Sequence, residues 1–318
     1  MIGALLAYLK PRAGRWAHPL AVARALRTSP RALHAGLAEL KKLGFPIDQE
    51  PYHGIMLHEG PWPMTAQEIR EKLATHIIGR EVHCLSQTTS TNDVARRLDA
   101  RSAPEGTLVF ADYQTQGRGR FNRRWVAEPF QALLMSVLLR PEPRPALSSL
   151  MTIMGAVAVV RCLAEHYGLL ARIRWPNDVL IGDGKVAGVL VEKSQNSAYV
   201  VGIGVNVGRP PDAPGATSIA AHLERQADRA ELAVRLALEL DCQYMAILSG
   251  AGGELEKQWR EYSCTIGKPV RLAVGRKTFR GVVEDLTASG IIVRFKSGYR
   301  RRFRAEHVNR LEVEAPAT

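Results

Sequence analysis

Cysteine is scarce and scattered. Cys84, Cys162, Cys242 and Cys264 stand singly in 318 residues, with no Cys-x-x-Cys and no histidine at metal-ligand spacing. That pattern argues against a zinc site or a disulfide framework and leaves the four as structural fillers. None of the nine histidines sits in a His-Glu-x-x-His pattern, so metalloprotease chemistry has no carrier. There is also no Ser/His/Asp or Cys/His signature for covalent catalysis. Long apolar runs are missing as well. Leu133 to Leu139 and Gly155 to Val160 soon meet Pro or Arg, short of the roughly 20 residues that a membrane-spanning helix needs. Met1 to Trp16 lacks a cleavage-site pattern, so no signal peptide is read and the cytoplasm is the expected compartment.

What is present is an ordinary globular composition, 46% hydrophobic, in a chain long enough for about two domains. The net charge of +12 is unevenly placed. Residues 1–60 hold eight Lys/Arg against four Asp/Glu, residues 61–267 hold 23 against 22, and residues 268–318 hold 12 against five. A balanced middle between basic ends suits a catalytic body flanked by modules that meet anions, although surface Lys and Arg also serve solubility.

Residues 1–60 read as a winged helix-turn-helix DNA-binding domain. Gly3 to Lys10 and Pro19 to Arg27 are short helices, and Ser29 with Pro30 forms the cap and first turn of a third, which stops at Gly44. Leu33, Leu37 and Leu40 recur at i, i+4 and i+7 and mark its buried face, leaving Arg31, His34, Ala38 and Lys41 outward. Arg31, His34 and Lys41 are the candidate DNA contacts. Phe45 to His58, turning at His53-Gly54, reads as a two-stranded wing, and Pro61-Trp62-Pro63 as a linker. The alternative is a small helical packing domain with an incidental basic face.

From Thr65 helical and strand-like segments alternate, the mark of an α/β or α+β domain, taken here as residues 65–266. Ala66 to Leu73, Ser90 to Arg101 (capped by Ser90 or Thr91), Leu147 to His166, Arg229 to Leu248 and Glu254 to Tyr262 read as helices. Thr107 to Ala111, Leu133 to Leu139, Arg172 to Trp175, Val179 to Ile181, Lys185 to Lys193 and Ser197 to Val207 read as strands. Residues 267–318 change texture to short alternating strands, Val270 to Ala273, Thr278 to Leu286, Gly290 to Phe295 and Tyr299 to Phe303, a small barrel of SH3-like size.

The most informative stretch is Gln114-Thr115-Gln116-Gly117-Arg118-Gly119-Arg120-Phe121-Asn122-Arg123-Arg124-Trp125, a loop with four arginines in seven residues. Gly117 and Gly119 are expected to turn backbone N–H groups toward an anion, and the guanidiniums match phosphate and carboxylate geometry. A solvated charge run would not explain the interleaved glycines or the closing Trp125. Three further motifs follow: Arg174-Trp175-Pro176-Asn177-Asp178, Lys185-Val186-Ala187-Gly188-Val189-Leu190-Val191-Glu192, and Gly202-Ile203-Gly204-Val205-Asn206-Val207. Each alone could be structure.

Together with Ser90-Thr91-Asn92, and in this order, they resemble the biotin protein ligase family over residues 65–318. The winged helix in front is similar to the bifunctional members that also repress transcription. The resemblance implies a class II synthetase-like mixed sheet with helices at the centre of an α+β chain. It also implies an enzyme that joins biotin to AMP using ATP, with Mg²⁺ bound mainly through the ATP, and passes biotin to a lysine of a biotin carboxyl carrier protein. Operator DNA is a further implied partner, with a homodimer in the biotinoyl-AMP state.

By the same resemblance Ser90, Thr91 and Gln114 match positions that bond the biotin ureido head. Gly117, Arg118 and Arg120 match the loop around the acyl phosphate, and Lys185 the lysine between the biotin carboxylate and the α-phosphate. Trp125, Asn177 and Asn206 match positions near the nucleotide and its magnesium, and Arg310, four residues after Glu306, a C-terminal arginine that reaches the phosphates. Asn92, Gly119 and Gly188 fall inside the same motifs. Arg120 and Lys185 are the expected catalytic pair, with Asp178 a candidate to orient or deprotonate the acceptor amine, or else a turn carboxylate bonding its own backbone.

Two positions depart from the pattern. Asn122 stands where a third Gly is usual, a residue that tolerates left-handed backbone, and Arg174 replaces Lys before Trp175. Two alternatives stay open: a lipoate or octanoate ligase of the related family, and a biotin-sensing DNA-binding regulator without turnover.

Overall fold

A computed structural model describes residues 1–143, 146–223 and 227–314, so the last four residues of the C-terminal unit lie outside it. The chain opens with α1 (Ile2–Leu9), α2 (Pro19–Ala25) and α3 (Pro30–Lys42), then an antiparallel pair β1 (Ile47–Glu50) and β2 (Gly54–Leu57). Ser29 caps α3 by accepting from the Ala32 N–H at 3.2 Å, and Pro30 sits in its first turn. Leu33, Leu37 and Leu40 face inward as their spacing required, closing a separate small core with Leu5, Leu6, Val22 and Ile55.

This module is fastened to the next one. The helix α4 (Ala66–Lys72) lies against α1, and the carboxylate of Glu71 fills the space beside Gly3. Lys10 Nζ pairs with Glu68 Oε1 at 2.7 Å and Asp228 Oδ2 at 2.9 Å, and Glu68 is wholly buried. The stretch expected to be a linker is tied down too. The Trp62 carbonyl accepts from Arg229 Nη2 at 2.7 Å, and Arg229 pairs at 2.7 Å with Asp112, both of them buried.

The body is a seven-stranded mixed sheet ordered β3-β4-β5-β9-β8-β7-β6. Its strands are β3 (Val82–Thr88), β4 (Leu108–Gln114), β5 (Ala132–Leu139), β6 (Ala171–Arg174), β7 (Asp178–Ile181), β8 (Gly184–Lys193) and β9 (Tyr199–Asn206). Only β3 and β4 run parallel. Val189, Val201, Ile203 and Val205 turn one face toward α6 (Leu147–Tyr167), α7 (Arg229–Leu248) and α8 (Gly252–Glu261), and α5 (Thr91–Asp99) covers part of the other. By length and composition α6 could cross a membrane, which the short apolar runs did not suggest; here it is a buried core helix.

The C-terminal unit is an antiparallel sheet ordered β13-β12-β11-β10-β14, from β10 (Pro269–Val274), β11 (Lys277–Thr287), β12 (Gly290–Arg294), β13 (Arg300–Phe303) and β14 (Val308–Val313). Two strands, β3 and β14, were not anticipated from sequence. One lies at an edge of each sheet.

Candidate active site

Period-two alternation decides what the open face of the large sheet presents. On β9 it shows Gly202, Gly204 and Asn206, and on β8, paired Gly188 to Gly204 and Leu190 to Gly202, it shows Gly188, Leu190 and Glu192. The glycines make room for two side chains. A Cβ on Gly204 would stand 2.5 Å from Trp125 Cε2, and one on Gly202 would stand 2.3 Å from Asn92 Oδ1. Above this floor lies a cavity of about 620 Å³.

One end of the cavity is neutral and polar. The Thr91 N–H donates to Gln114 Oε1 at 2.6 Å, and the Thr91 hydroxyl reaches the same oxygen at 3.0 Å. Ser136 Oγ, facing Gly202 across β5 and β9, approaches Thr91 Oγ1 at 2.7 Å and Asn92 Oδ1 at 2.6 Å. Ser90 holds the cap position of α5, but its side chain caps nothing; Gln114 takes the Thr91 N–H instead.

The other end is cationic. Lys185 Nζ lies 2.5 Å from Asp178 Oδ1 and 5.5 Å from the centre of the Trp125 ring, and Arg174 Nη2 reaches Asp178 Oδ2 at 2.9 Å. Burial works to raise the Asp178 carboxyl, but Lys185 and Arg174 outweigh it and hold it below its ordinary value. A carboxylate so held is a poor proton acceptor. Burial pushes the Arg120 guanidinium below its ordinary value; it stacks on the Phe121 ring and donates to the Ala305 carbonyl. Arg123 donates to the Asn309 carbonyl at 2.8 Å, so the arginine loop is docked on the C-terminal unit at two points.

The loop folds differently from expectation. The Gly119 N–H donates to the Arg123 carbonyl at 2.6 Å and does not face the cavity. Gly117 is needed for close approach, since a Cβ there would stand 2.5 Å from the Trp125 carbonyl oxygen. Left-handed backbone falls on Phe121 and Asn122, with φ of 54° and 57°, so asparagine does adopt the conformation that a third glycine would.

Ser90, Thr91, Asn92, Gln114, Arg118, Gly119, Arg120, Trp125, Asn177, Asp178, Lys185, Gly188 and Arg310 all border the cavity, whereas Gly117 and Asn206 stand behind its wall. Asn177 is a clip, its Nδ2 donating to the Val189 carbonyl at 2.8 Å. Asn206 Nδ2 likewise reaches the carbonyls of Lys185 and Thr217 at 3.3 and 2.9 Å, which fixes the Lys185 backbone. Arg310 Nε pairs with Glu312 at 2.7 Å. Sequence reading missed Asn309, which borders the cavity, and Asp93, which stands beside it and pairs with Arg118. Arg123 and Glu192 stood inside quoted motifs but were given no individual role. Away from the cavity, Arg31, His34 and Lys41 are exposed on α3.

Residues 84–208 match the family model described as the biotin/lipoate A/B protein ligase family. The chain is 31% identical over 282 residues to the bifunctional ligase/repressor BirA of Bacillus subtilis, covering 86% of this chain and 87% of that protein. The chain belongs to the biotin protein ligase family. A biotin--[acetyl-CoA-carboxylase] ligase of Mycobacterium tuberculosis is 31% identical, covering 72% of this chain and 88% of its own length. The biotin protein ligase of Aquifex aeolicus, solved in complex with biotin and ATP, superposes with a TM-score of 0.65 at 25% identity, covering 74% of this chain and all of that one. Membership of the biotin protein ligase family makes the chain an enzyme of the ligase class.

Proposed function

We propose that this enzyme forms biotinoyl-5′-AMP from biotin and ATP and transfers biotin to a specific lysine of a biotin carboxyl carrier protein. The observation that carries the reading is the division of one cavity into a neutral amide and hydroxyl end and a cationic end. A ureido head suits Ser90, Thr91, Asn92 and Gln114. A carboxylate and a triphosphate, which repel at bonding distance, suit Arg120 and Lys185. Gly117, Arg118 and Gly119 shape the loop between the two ends. Gly188 and Trp125 form the floor, Asn177 and Asn206 hold the strands that present Lys185, and Arg310 faces the phosphates. Magnesium enters with the triphosphate as substrate. Asp178 orients Lys185 and then the incoming amine. No side-chain nucleophile is needed, since the carboxylate attacks the α-phosphorus with release of pyrophosphate, and the lysine amine, after losing a proton, attacks the mixed anhydride with release of AMP.

Three units carry these tasks in our reading: a winged helix-turn-helix (1–60), a class II synthetase-like catalytic unit (65–266) and an SH3-like barrel (267–318). The compartment is the cytoplasm. The test is transfer of labelled biotin to a carboxylase carrier domain in the presence of ATP. Labelling of the carrier lysine is expected; pyrophosphate release driven by lipoate or octanoate instead of biotin would move the chain to the related branch.

A second role rests on the likeness to the Bacillus subtilis ligase/repressor, which extends over 86% of this chain. Here α3 presents Arg31, His34 and Lys41 to operator DNA, and a homodimer formed in the biotinoyl-AMP state spans a two-fold site. Arg31→Ala and His34→Ala should each weaken operator binding in a gel-shift titration. Sedimentation should show dimer only with biotin and ATP. Indifference of both association and DNA binding to the intermediate would remove the repressor role and leave the ligase.

A further inference from the structure

Arg118 lies in the arginine loop, yet its charge is already engaged. Its Nη1 and Nη2 form a two-pronged pair with Asp93 at 2.9 and 2.6 Å, and Nη2 also reaches Glu192 at 3.4 Å. Arg96 completes the cluster, 2.5 Å from Asp93 and 3.7 Å from Glu192, so two cations face two anions. The pair with Arg118 holds the Asp93 carboxyl well below its ordinary range. Asp93 stands in the first turn of α5, directly after Thr91 and Asn92, and Asn92 Nδ2 donates to Glu192 at 2.6 Å. The stem of the loop, the start of α5 and the end of β8 therefore meet at one guanidinium. The planar fork of arginine suits this use, because it bonds two carboxylates in fixed directions.

We propose that Asp93 is a positioning residue that latches the loop over the ligand through Arg118, and that the latch sets how long the activated intermediate stays bound. Arg118 then acts as an anchor of the loop, and neutralising phosphate falls to Arg120 and Lys185. The inference rests on the ligase reading given above. The sign of one substitution separates the two possible uses of Arg118. If the pair is a latch, Asp93→Asn loosens the loop and biotinoyl-AMP leaves faster. If Arg118 serves as a phosphate-neutralising cation, Asp93→Asn frees it for the ligand and the intermediate leaves more slowly.

The experiment is a chase of labelled biotinoyl-AMP from the full chain, with pyrophosphate release measured in parallel. Asp93→Asn should speed dissociation roughly ten-fold, since residence time responds most to lost contacts, and raise labelling of bystander lysines. Asp93→Glu, which keeps the charge on a longer arm, should recover part of the residence time. The double variant Asp93→Asn with Arg118→Gln should be little worse than either single one. Slower dissociation, an unchanged rate, or additive effects would overturn the latch. Absence of pyrophosphate release from the parent protein would instead strike the ligase reading. If Asp93→Asn is recovered unfolded, the comparison of Asp93→Glu with the parent decides by the same signs.

Discussion

Lys185→Ala tests the cationic end of the cavity most directly. The side chain sits 2.5 Å from Asp178 Oδ1, and its backbone is held by the Gly215 carbonyl at 2.7 Å and by Asn206. Loss of one such preorganised charge should cost adenylation roughly 10²- to 10³-fold, about 3–4 kcal/mol of transition-state stabilisation. The substitution has a second effect. Asp178 keeps Arg174 and the more distant charge of Arg120, so burial regains weight and its carboxyl rises from its depressed position. Above that raised value the variant holds an undercompensated anion facing two anionic substrates; as pH falls through it, the carboxyl protonates and the residual rate should climb. The parent, whose Asp178 stays ionised down to lower pH, should show no such limb. Adding Asp178→Asn to Lys185→Ala removes the repulsion and should recover part of the rate. Pyrophosphate release at saturating biotin and ATP, followed against pH, reads Lys185→Ala, Asp178→Asn and the double variant. If the double variant loses as much as the two single losses multiplied, the opposition of these charges is not how the site works.

Arg120→Gly should release the intermediate and label bystander lysines, seen by blotting a mixture of unrelated proteins, and retention of acceptor selectivity would refute its place at the acyl phosphate. Gly204→Ala puts a Cβ 2.5 Å from Trp125 Cε2; with the indole displaced from the floor, kcat/KM for biotin should fall by up to about 100-fold, and a parent-like value would deny Trp125 its role there. Lys10→Met leaves Glu68 wholly buried with only Lys72, 3.1 Å away, and should lower stability by about 3 kcal/mol, at the low end for a broken buried pair, as read by denaturant melts. Deletion of residues 1–60 should abolish DNA binding in a gel shift and keep measurable adenylation, at a lower melting temperature because Lys10 goes with it.

Most of the framework was legible because periodicity is a local property. The burial of Leu33, Leu37 and Leu40 and the strand faces of β8 and β9 follow from spacing alone. The two missed strands show where spacing fails. β3 buries only Val82 fully, so it lacks an apolar alternation to read. β14 buries Val308 with Leu311 half-buried, an offset of three, and its partner strand shifts register between Ala273 and Val274. The site was legible as a set of motifs, but its internal wiring was not. That Arg123 ends on Asn309, 186 residues away, is fixed by how the two sheets meet, and that Arg118 ends on Asp93 by how α5 packs beside the loop. The Gly119 N–H was misread for a related reason: a loop that closes on itself satisfies its own donors first.

The fastening of α1 to α4 makes the first module a splint rather than a tether. If the module reads an operator as proposed, a tethered one could shift to suit imperfect half-site spacing, whereas one held through Lys10 and Trp62 carries its bearing with the body. In a dimer the distance between the two α3 helices would then be a property of the protein, as in a caliper locked at one setting. Operators with one base pair added or removed at the centre should lose affinity steeply, because neither helix can follow its groove around the duplex.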